Sequence, residues 1–96
     1  MSADALATRA DIWLWYARFV KTRALAVEVI ERGRVRLTRS GQQTRLDKPS
    51  RAVRPGDVLT IALPHRVVVV RIEALPERRG PVEEAQGLYT LLQEPV

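Results

Sequence analysis

The apolar residues of this 96-residue chain change their spacing at Gly33, and the change sets the order of its secondary structure. Before Gly33, apolar side chains recur three and four residues apart, which is the period of an α-helix. After it they alternate with arginines, as in Arg34-Val35-Arg36-Leu37, which is the period of a β-strand with one buried face. The sequence therefore predicts an α+β domain, with helices followed by a small, mostly antiparallel sheet.

Two short helices are predicted before Gly33. The first spans Asp11 to Val20, and the second spans Arg23 to Arg32 with Thr22 as its N-cap. Gly33 then occupies the left-handed position that commonly ends a helix. The predicted buried residues are Ile12, Trp15, Tyr16, Phe19 and Val20 in the first helix and Leu25, Ala26, Val29 and Ile30 in the second. Trp13 lies off that stripe, so we expect it to be partly exposed, with packing favoured over a role in base stacking.

The rest of the chain has the composition of strands, turns and one more helix. Strands are predicted at Val58 to Leu63 and at Val67 to Ile72, the latter with a core run from Val67 to Val70. A type II turn is predicted at Arg54-Pro55-Gly56-Asp57, and a last helix at Pro81 to Gln93. We expect residues 1–8 to be a flexible lead-in, 9–75 a folded domain and 76–96 an extension with a short helix.

The residue inventory argues against several classes of function. The chain has no cysteine and only one histidine, His65, so thiol chemistry and two-histidine metal sites are excluded. No acid, base or nucleophile stands near Asp11 at a catalytic spacing. We therefore predict no catalytic residue, no metal, no cofactor and no small-molecule substrate. Without a long apolar run or a basic leader, the expected location is the cytoplasm, with no membrane partner.

Positive charge is concentrated in the first half of the chain. The net charge is +5, with a pI of about 10.7. Residues 1–56 hold 12 of the 16 Lys and Arg residues but only 5 of the 11 acidic ones. Such a polarised excess favours a polyanionic partner. A merely solvated arginine-rich surface is the alternative.

A set of motifs runs through most of the chain. These are Arg9-x-Asp11-x-Trp13-Leu14-Trp15-x-x-Arg18-x-x-Lys21-Thr22-Arg23-x-x-Ala26, then Gly33-x-Val35, then Lys48-Pro49-Ser50-x-x-Val53-x-x-Gly56-Asp57. The set resembles the RNA-binding domain named after ribosomal protein S4. Within that family it is most similar to the small ribosome-associated heat-shock proteins. Ala10 departs from the leucine usual there, and Thr38 to Gln42 replaces a tighter turn.

The resemblance implies an αL-type fold of two helices packed on a small, mostly antiparallel sheet. It also implies binding to structured RNA, chiefly ribosomal RNA of the large subunit, together with peptidyl-tRNA. The implied role is the recycling of stalled large subunits after heat stress.

Nine residues are predicted to contact RNA. On the helical prediction Arg18 and Lys21 share a face and Arg23 opens the next helix, so cations meet free backbone N–H groups at one corner. Thr22 either caps that helix or donates to a phosphate. The full set is Arg9, Arg18, Lys21, Thr22, Arg23, Arg34, Arg36, Lys48 and Arg51.

Other functions remain open from the sequence. One is an accessory or protein-interaction module of an RNA-modification system, since this domain type is also appended to RNA-modifying enzymes. Another is DNA binding, because two helices at this spacing resemble a helix-turn-helix. Glu28 and Glu31 on the second helix argue against its entry into a DNA groove.

Overall fold

The computed structural model describes residues 7–93, in which two helices precede a sheet and a third helix precedes its last strand. The helices are α1 (Ala10–Tyr16), α2 (Arg23–Glu31) and α3 (Val82–Gln86). The strands are β1 (Thr8–Arg9), β2 (Val35–Arg39), β3 (Gln42–Arg45), β4 (Ala52–Val53), β5 (Val58–Ala62), β6 (Val67–Ile72) and β7 (Tyr89–Gln93). A five-stranded sheet has the order β3-β2-β5-β6-β7, and β1 pairs with β4. All pairs are antiparallel, which confirms the predicted fold class.

One face of the five-stranded sheet forms the core with α1 and α2. Alternate residues point to this face and are buried, namely Val35, Leu37, Leu59, Ile61, Val68, Val70 and Ile72. The opposite face, which we call the outer face, carries Arg36, Thr60, Val69 and Arg71 and is half-buried or exposed. Val67 also lies on it and is 39% exposed. The predicted core run from Val67 to Val70 is therefore confirmed for Val68 and Val70 and wrong for Val67 and Val69, because only alternate valines of a strand reach a one-sided core.

Helix α1 ends at Tyr16, four residues earlier than predicted. The Arg18 N–H donates to the Trp15 carbonyl, and the next N–H donates to the Leu14 carbonyl, both at 3.1 Å. With φ of +64°, Arg18 occupies the left-handed position of a Schellman motif, where glycine is usual. The prediction that Arg18 and Lys21 share a helix face is therefore wrong, because the helix has ended before either residue.

The early end of α1 also reverses the roles of its two tryptophans. Trp13 is fully buried and its Nε1–H donates to the Ala74 carbonyl at 3.0 Å, whereas Trp15 is only half-buried. The predicted exposure of Trp13 and burial of Trp15 are both wrong. The buried face consists instead of Ala10, Trp13, Leu14 and Ala17. The stripe predicted through Phe19 and Val20 required about one further turn that the helix does not make.

Helix α2 has the bounds that its local signals predict, to within one residue. The Thr22 hydroxyl accepts from the Leu25 N–H at 3.1 Å, which confirms the N-cap. Gly33 adopts φ of +75° and ends the helix with a second Schellman motif. Ala26 and Ile30 face the core, but Leu25 is 41% exposed, so its predicted burial is wrong.

Strands β2 and β3 form a hairpin around Ser40 and Gly41. Their φ values of +53° and +77° give a type I′ turn, whose twist suits a two-residue hairpin loop. The register places Arg39 opposite Gln42. The polar stretch from Thr38 to Arg45 therefore forms a hairpin.

The C-terminal part contains a shorter helix than predicted. Helix α3 ends at Gln86, and residues 89–93 form strand β7, which extends the sheet beside β6. The predicted helix through Gln93 is wrong after Gln86, because Leu88 is buried and Tyr89 packs on the core in the strand. Residues 1–6 of the predicted lead-in lie outside the described residues, and Thr8 lies in β1. The division at residue 75 stays a prediction.

Candidate nucleic-acid interface

A buried carboxylate holds two arginines at the start of the helical pair. The Asp11 side chain is 1% exposed and accepts hydrogen bonds from the Arg9 Nε and Nη2 at 3.1 and 3.0 Å. The Arg23 Nε lies 3.7 Å from the same carboxylate. The two arginine side chains are 47% and 50% exposed, so both guanidinium groups keep donors that face solvent. Asp11 therefore holds both arginines at the start of the helical pair.

The loop that carries Lys48 and Arg51 is fastened to the N-terminus of α1. The Ala10 N–H donates to the Arg51 carbonyl at 2.9 Å, and the Asp11 N–H donates to the Pro49 carbonyl at 3.1 Å. These bonds satisfy backbone donors that a helix N-terminus otherwise leaves without partners. The exposed side chains of Lys48 and Arg51 are thereby brought near Arg9. We call Arg9, Arg23, Lys48 and Arg51 the helix-side cluster.

Arg18 is directed away from this cluster and towards the C-terminal part of the chain. Its Nε and Nη2 donate to the Gly80 carbonyl at 3.1 and 2.9 Å. Segment 74–80 also donates a hydrogen bond to α1, from the Arg79 Nε to the Trp15 carbonyl at 3.0 Å. The Arg79 guanidinium also lies 5.3 Å from the Trp15 ring centroid. Arg18 therefore helps to hold the end of α1 to segment 74–80.

Of the remaining predicted cations, Lys21 is exposed in the turn between α1 and α2, and the other two lie on or near the β2–β3 hairpin. Arg34 and Arg36 are exposed, and Arg36 stands directly opposite Arg45 in the strand register. Arg45 is not among the nine residues predicted from the sequence. The signal that would have placed Arg45 is Ser40-Gly41, since a two-residue turn there fixes which residues of the two strands are opposite.

Cations that lack an intramolecular partner are confined to one part of the sequence. Within residues 7–93, eight arginines form a side-chain hydrogen bond or ion pair, namely Arg9, Arg18, Arg23, Arg32, Arg39, Arg71, Arg78 and Arg79. Arg66 also makes an interaction. Within the same range, seven side chains make none: Lys21, Arg34, Arg36, Arg45, Lys48, Arg51 and Arg54. All seven lie between residues 21 and 54.

Arg39 has a structural role and is not one of the seven cations without an internal partner. Its Nε and Nη2 donate to the Asp57 carboxylate at 2.9 and 2.7 Å, and the same carboxylate accepts the Arg54 N–H at 2.8 Å. The hydrogen bond to Asp57 raises the pKa of Arg39 above its ordinary value, with a further contribution from the charge of that carboxylate. This pair secures the predicted turn at residues 54–57, where the Asp57 N–H donates to the Arg54 carbonyl.

The described residues contain no group of three or more histidine, cysteine, aspartate or glutamate side chains placed to hold a metal ion. Over the same residues, no helix has the length and apolar character needed to cross a membrane.

Comparison with known proteins gives a consistent result. The S4 domain model matches residues 8–59. Heat shock protein 15 of Escherichia coli (strain K12) is 42% identical over 92 residues, which cover 96% of this chain and 65% of that protein. The RQC P-site tRNA stabilizing factor of Bacillus subtilis (strain 168) is 37% identical over 86 residues, covering 90% of this chain and 93% of that one.

A solved structure shares the fold as well. The trimeric structure of Vibrio cholerae Heat Shock Protein 15 superimposes with a TM-score of 0.76 at 39% identity. The match covers 88% of this chain and 81% of that chain. This chain spans just under two thirds of the length of the Escherichia coli relative.

Proposed function

The chain belongs to the S4 domain family, and we propose that it binds structured RNA on the ribosome without catalysing a reaction. The observation that carries the proposal is the confinement of the seven unpartnered cations to residues 21–54. Apart from Arg54, whose Nε is buried, an arginine with no internal partner keeps its donors for phosphate oxygens, which it can bind in bidentate fashion. RNA presents such oxygens at regular intervals, and A-form RNA is recognised largely by its shape and backbone.

The nine residues predicted from the sequence have different roles in this proposal. Lys21, Arg34, Arg36, Lys48 and Arg51 contact phosphates directly. Arg9 and Arg23 do so while Asp11 orients them, since each keeps donors in solvent. The hydroxyl of Thr22 acts as a helix cap, and Arg18 contributes mainly through segment 74–80.

The finer proposal is binding to ribosomal RNA of the large subunit and to peptidyl-tRNA during the recycling of stalled ribosomes in the cytoplasm. The names of the relatives support this, since one is a P-site tRNA stabilizing factor and the other a heat shock protein. Neither name denotes an enzyme, which supports a binding role.

Salt-dependent RNA affinity tests the proposal. A structured RNA hairpin and a DNA duplex of the same sequence are titrated by fluorescence anisotropy between 50 and 200 mM salt. Because each phosphate contact contributes about 0.9 to the slope of log K against log salt, the triple variant Lys21→Gln, Lys48→Gln, Arg51→Gln should reduce that slope by about 2 to 3. We expect tighter binding to RNA than to DNA.

A matched triple variant removes the same charge from arginines with internal partners. Arg32, Arg71 and Arg78 are ion-paired with glutamates at 2.7, 2.9 and 3.4 Å, so Arg→Gln at these three positions should change the slope much less. Equal losses in the two triples would refute the proposed surface. Co-sedimentation with free large subunits and with intact ribosomes tests the finer proposal, which requires preference for the free subunit.

A further inference from the structure

A pair of like charges stands on the outer face of the sheet. Arg36 on β2 is directly opposite Arg45 on β3, and on its other side Arg36 is opposite Thr60 on β5. Side chains in such positions have Cβ atoms about 5 Å apart, and like charges there disfavour folding. Within residues 7–93 neither arginine has a hydrogen bond or ion pair that offsets this repulsion. An anion bound between them would do so.

The position of Arg45 is set by a glycine. The guanidinium of Arg45 lies against Gly33, and a Cβ added to Gly33 would overlap the guanidinium atoms. Gly33 follows the C-terminus of α2, where the helix dipole is negative and attracts a cation. Gly33 therefore has two functions, because its φ of +75° ends the helix and its missing side chain leaves room for Arg45.

We propose that Arg36 and Arg45 together hold one phosphate group of the RNA, with Gly33 as the residue that positions Arg45. The proposal rests on the proposed RNA-binding function and adds a residue, Arg45, and a site to it. The site lies on the outer face, whereas Val35 and Leu37, which alternate with Arg36, point to the core beneath the helices. Occupation of this site is therefore separable from binding at the helix-side cluster.

A double-mutant cycle on RNA affinity tests the shared phosphate. Arg36→Gln, Arg45→Gln and the double variant are compared with wild type on the RNA hairpin. Loss of one charge-assisted contact corresponds to about a tenfold loss of affinity. Because both arginines hold the same phosphate, the double variant should lose little more than either single variant, and its salt slope should fall by about 0.9 rather than 1.8. If the affinity loss of the double variant equals the product of the two single-variant losses, the proposal is overturned.

Two further variants separate bidentate binding from general charge. Arg45→Lys keeps the charge but lacks the planar fork, so its affinity should fall close to that of Arg45→Gln. If Arg45→Lys keeps the full RNA affinity, bidentate binding of the phosphate by Arg45 is refuted. Arg32→Gln removes the same charge from an exposed, ion-paired arginine and should leave affinity within about twofold. A loss in Arg32→Gln equal to that in Arg45→Gln would also count against the site.

The role of Gly33 is tested by Gly33→Asn, since asparagine tolerates the left-handed backbone but its side chain displaces Arg45. Affinity should fall as in Arg45→Gln, and the combination of both changes should add nothing. If thermal unfolding shows that Gly33→Asn does not fold, the Arg45 variants alone decide the matter.

A titration with inorganic phosphate, followed by NMR, distinguishes failure of the site from failure of RNA binding. The backbone amides of Gly33, Arg36 and Thr60 should shift in the wild type and not in the double variant. If the wild type binds RNA but the double variant has the same RNA affinity as Arg32→Gln, this site is refuted. The proposed contacts of the helix-side cluster are then unaffected. If wild type binds no RNA, the proposed function fails, and the phosphate shifts alone decide whether the anion site exists.

Discussion

The left-handed conformation of Arg18 makes a sharp prediction about stability. Both Arg18→Ala and Arg18→Gly remove the two hydrogen bonds to the Gly80 carbonyl. They differ in the backbone, because φ of +64° costs alanine about 1 kcal/mol and costs glycine almost nothing. Glycine should therefore be the more stable replacement, although it normally destabilises a folded chain through its larger freedom when unfolded.

The magnitudes follow from these two contributions. The two part-buried hydrogen bonds of Arg18 contribute about 1 kcal/mol together, less than fully buried charged bonds. Arg18→Ala should lower the free energy of unfolding by about 1 kcal/mol, because it loses the bonds and keeps the strain. In Arg18→Gly the relief of strain offsets the lost bonds, so its stability should be close to that of the wild type. The difference corresponds to about 4–8 °C in Tm for a domain of this size.

Thermal and urea unfolding of the two variants measure this difference directly. Ala24→Gly is the control, since Ala24 is exposed within α2, where glycine should cost about 0.5–1 kcal/mol. Glycine should therefore be more stable than alanine at position 18 and less stable than alanine at position 24. If Arg18→Ala equals or exceeds Arg18→Gly in stability, the Schellman interpretation of the end of α1 is refuted.

Two further predictions concern carboxylates. Asp57→Asn should lower the free energy of unfolding by about 2–3 kcal/mol, somewhat less than for a fully buried pair because Arg39 is 33% exposed; an unchanged urea midpoint would contradict this. The pKa of Glu73 is lowered by the hydrogen bond from Thr90 and then by that from Arg71, so its stabilisation is present above the unfolded pKa and is lost as the pH falls through the lowered value. Thr90→Val should raise that pKa in an NMR titration, and an unchanged value would exclude the hydrogen bond as its main cause.

Local signals were sufficient for helix α2 and for strands β2, β5 and β6. Thr22 and Gly33 predict the two ends of α2 because capping and left-handed termination depend on residues within one turn. The alternation from Arg34 to Leu37 predicts which side chains are buried, since the two faces of a strand are fixed by its pleat. The basic character of residues 1–56 and the family motifs likewise depend only on the order of residues.

The end of α1 and the last strand were decided by contacts distant in sequence. Arginine has no intrinsic preference for the left-handed conformation of Arg18, so nothing local predicts the end of the helix there. Segment 74–80, more than fifty residues away, supplies the partners of Trp13, Trp15 and Arg18. Residues 89–93 become a strand because β6 offers an edge with which they pair.

In the candidate interface, too, some features depend on the sequence alone and others on distant contacts. The sequence by itself determined that the chain is basic, which residues carry the charge and which family's motifs surround them. Only the tertiary structure decided that Asp11 orients Arg9 and Arg23, that Arg18 is bonded to Gly80, and that Arg36 faces Arg45. The physical reason is that charge is a property of each residue, whereas the partner of a charge depends on which distant segments the packed core brings together.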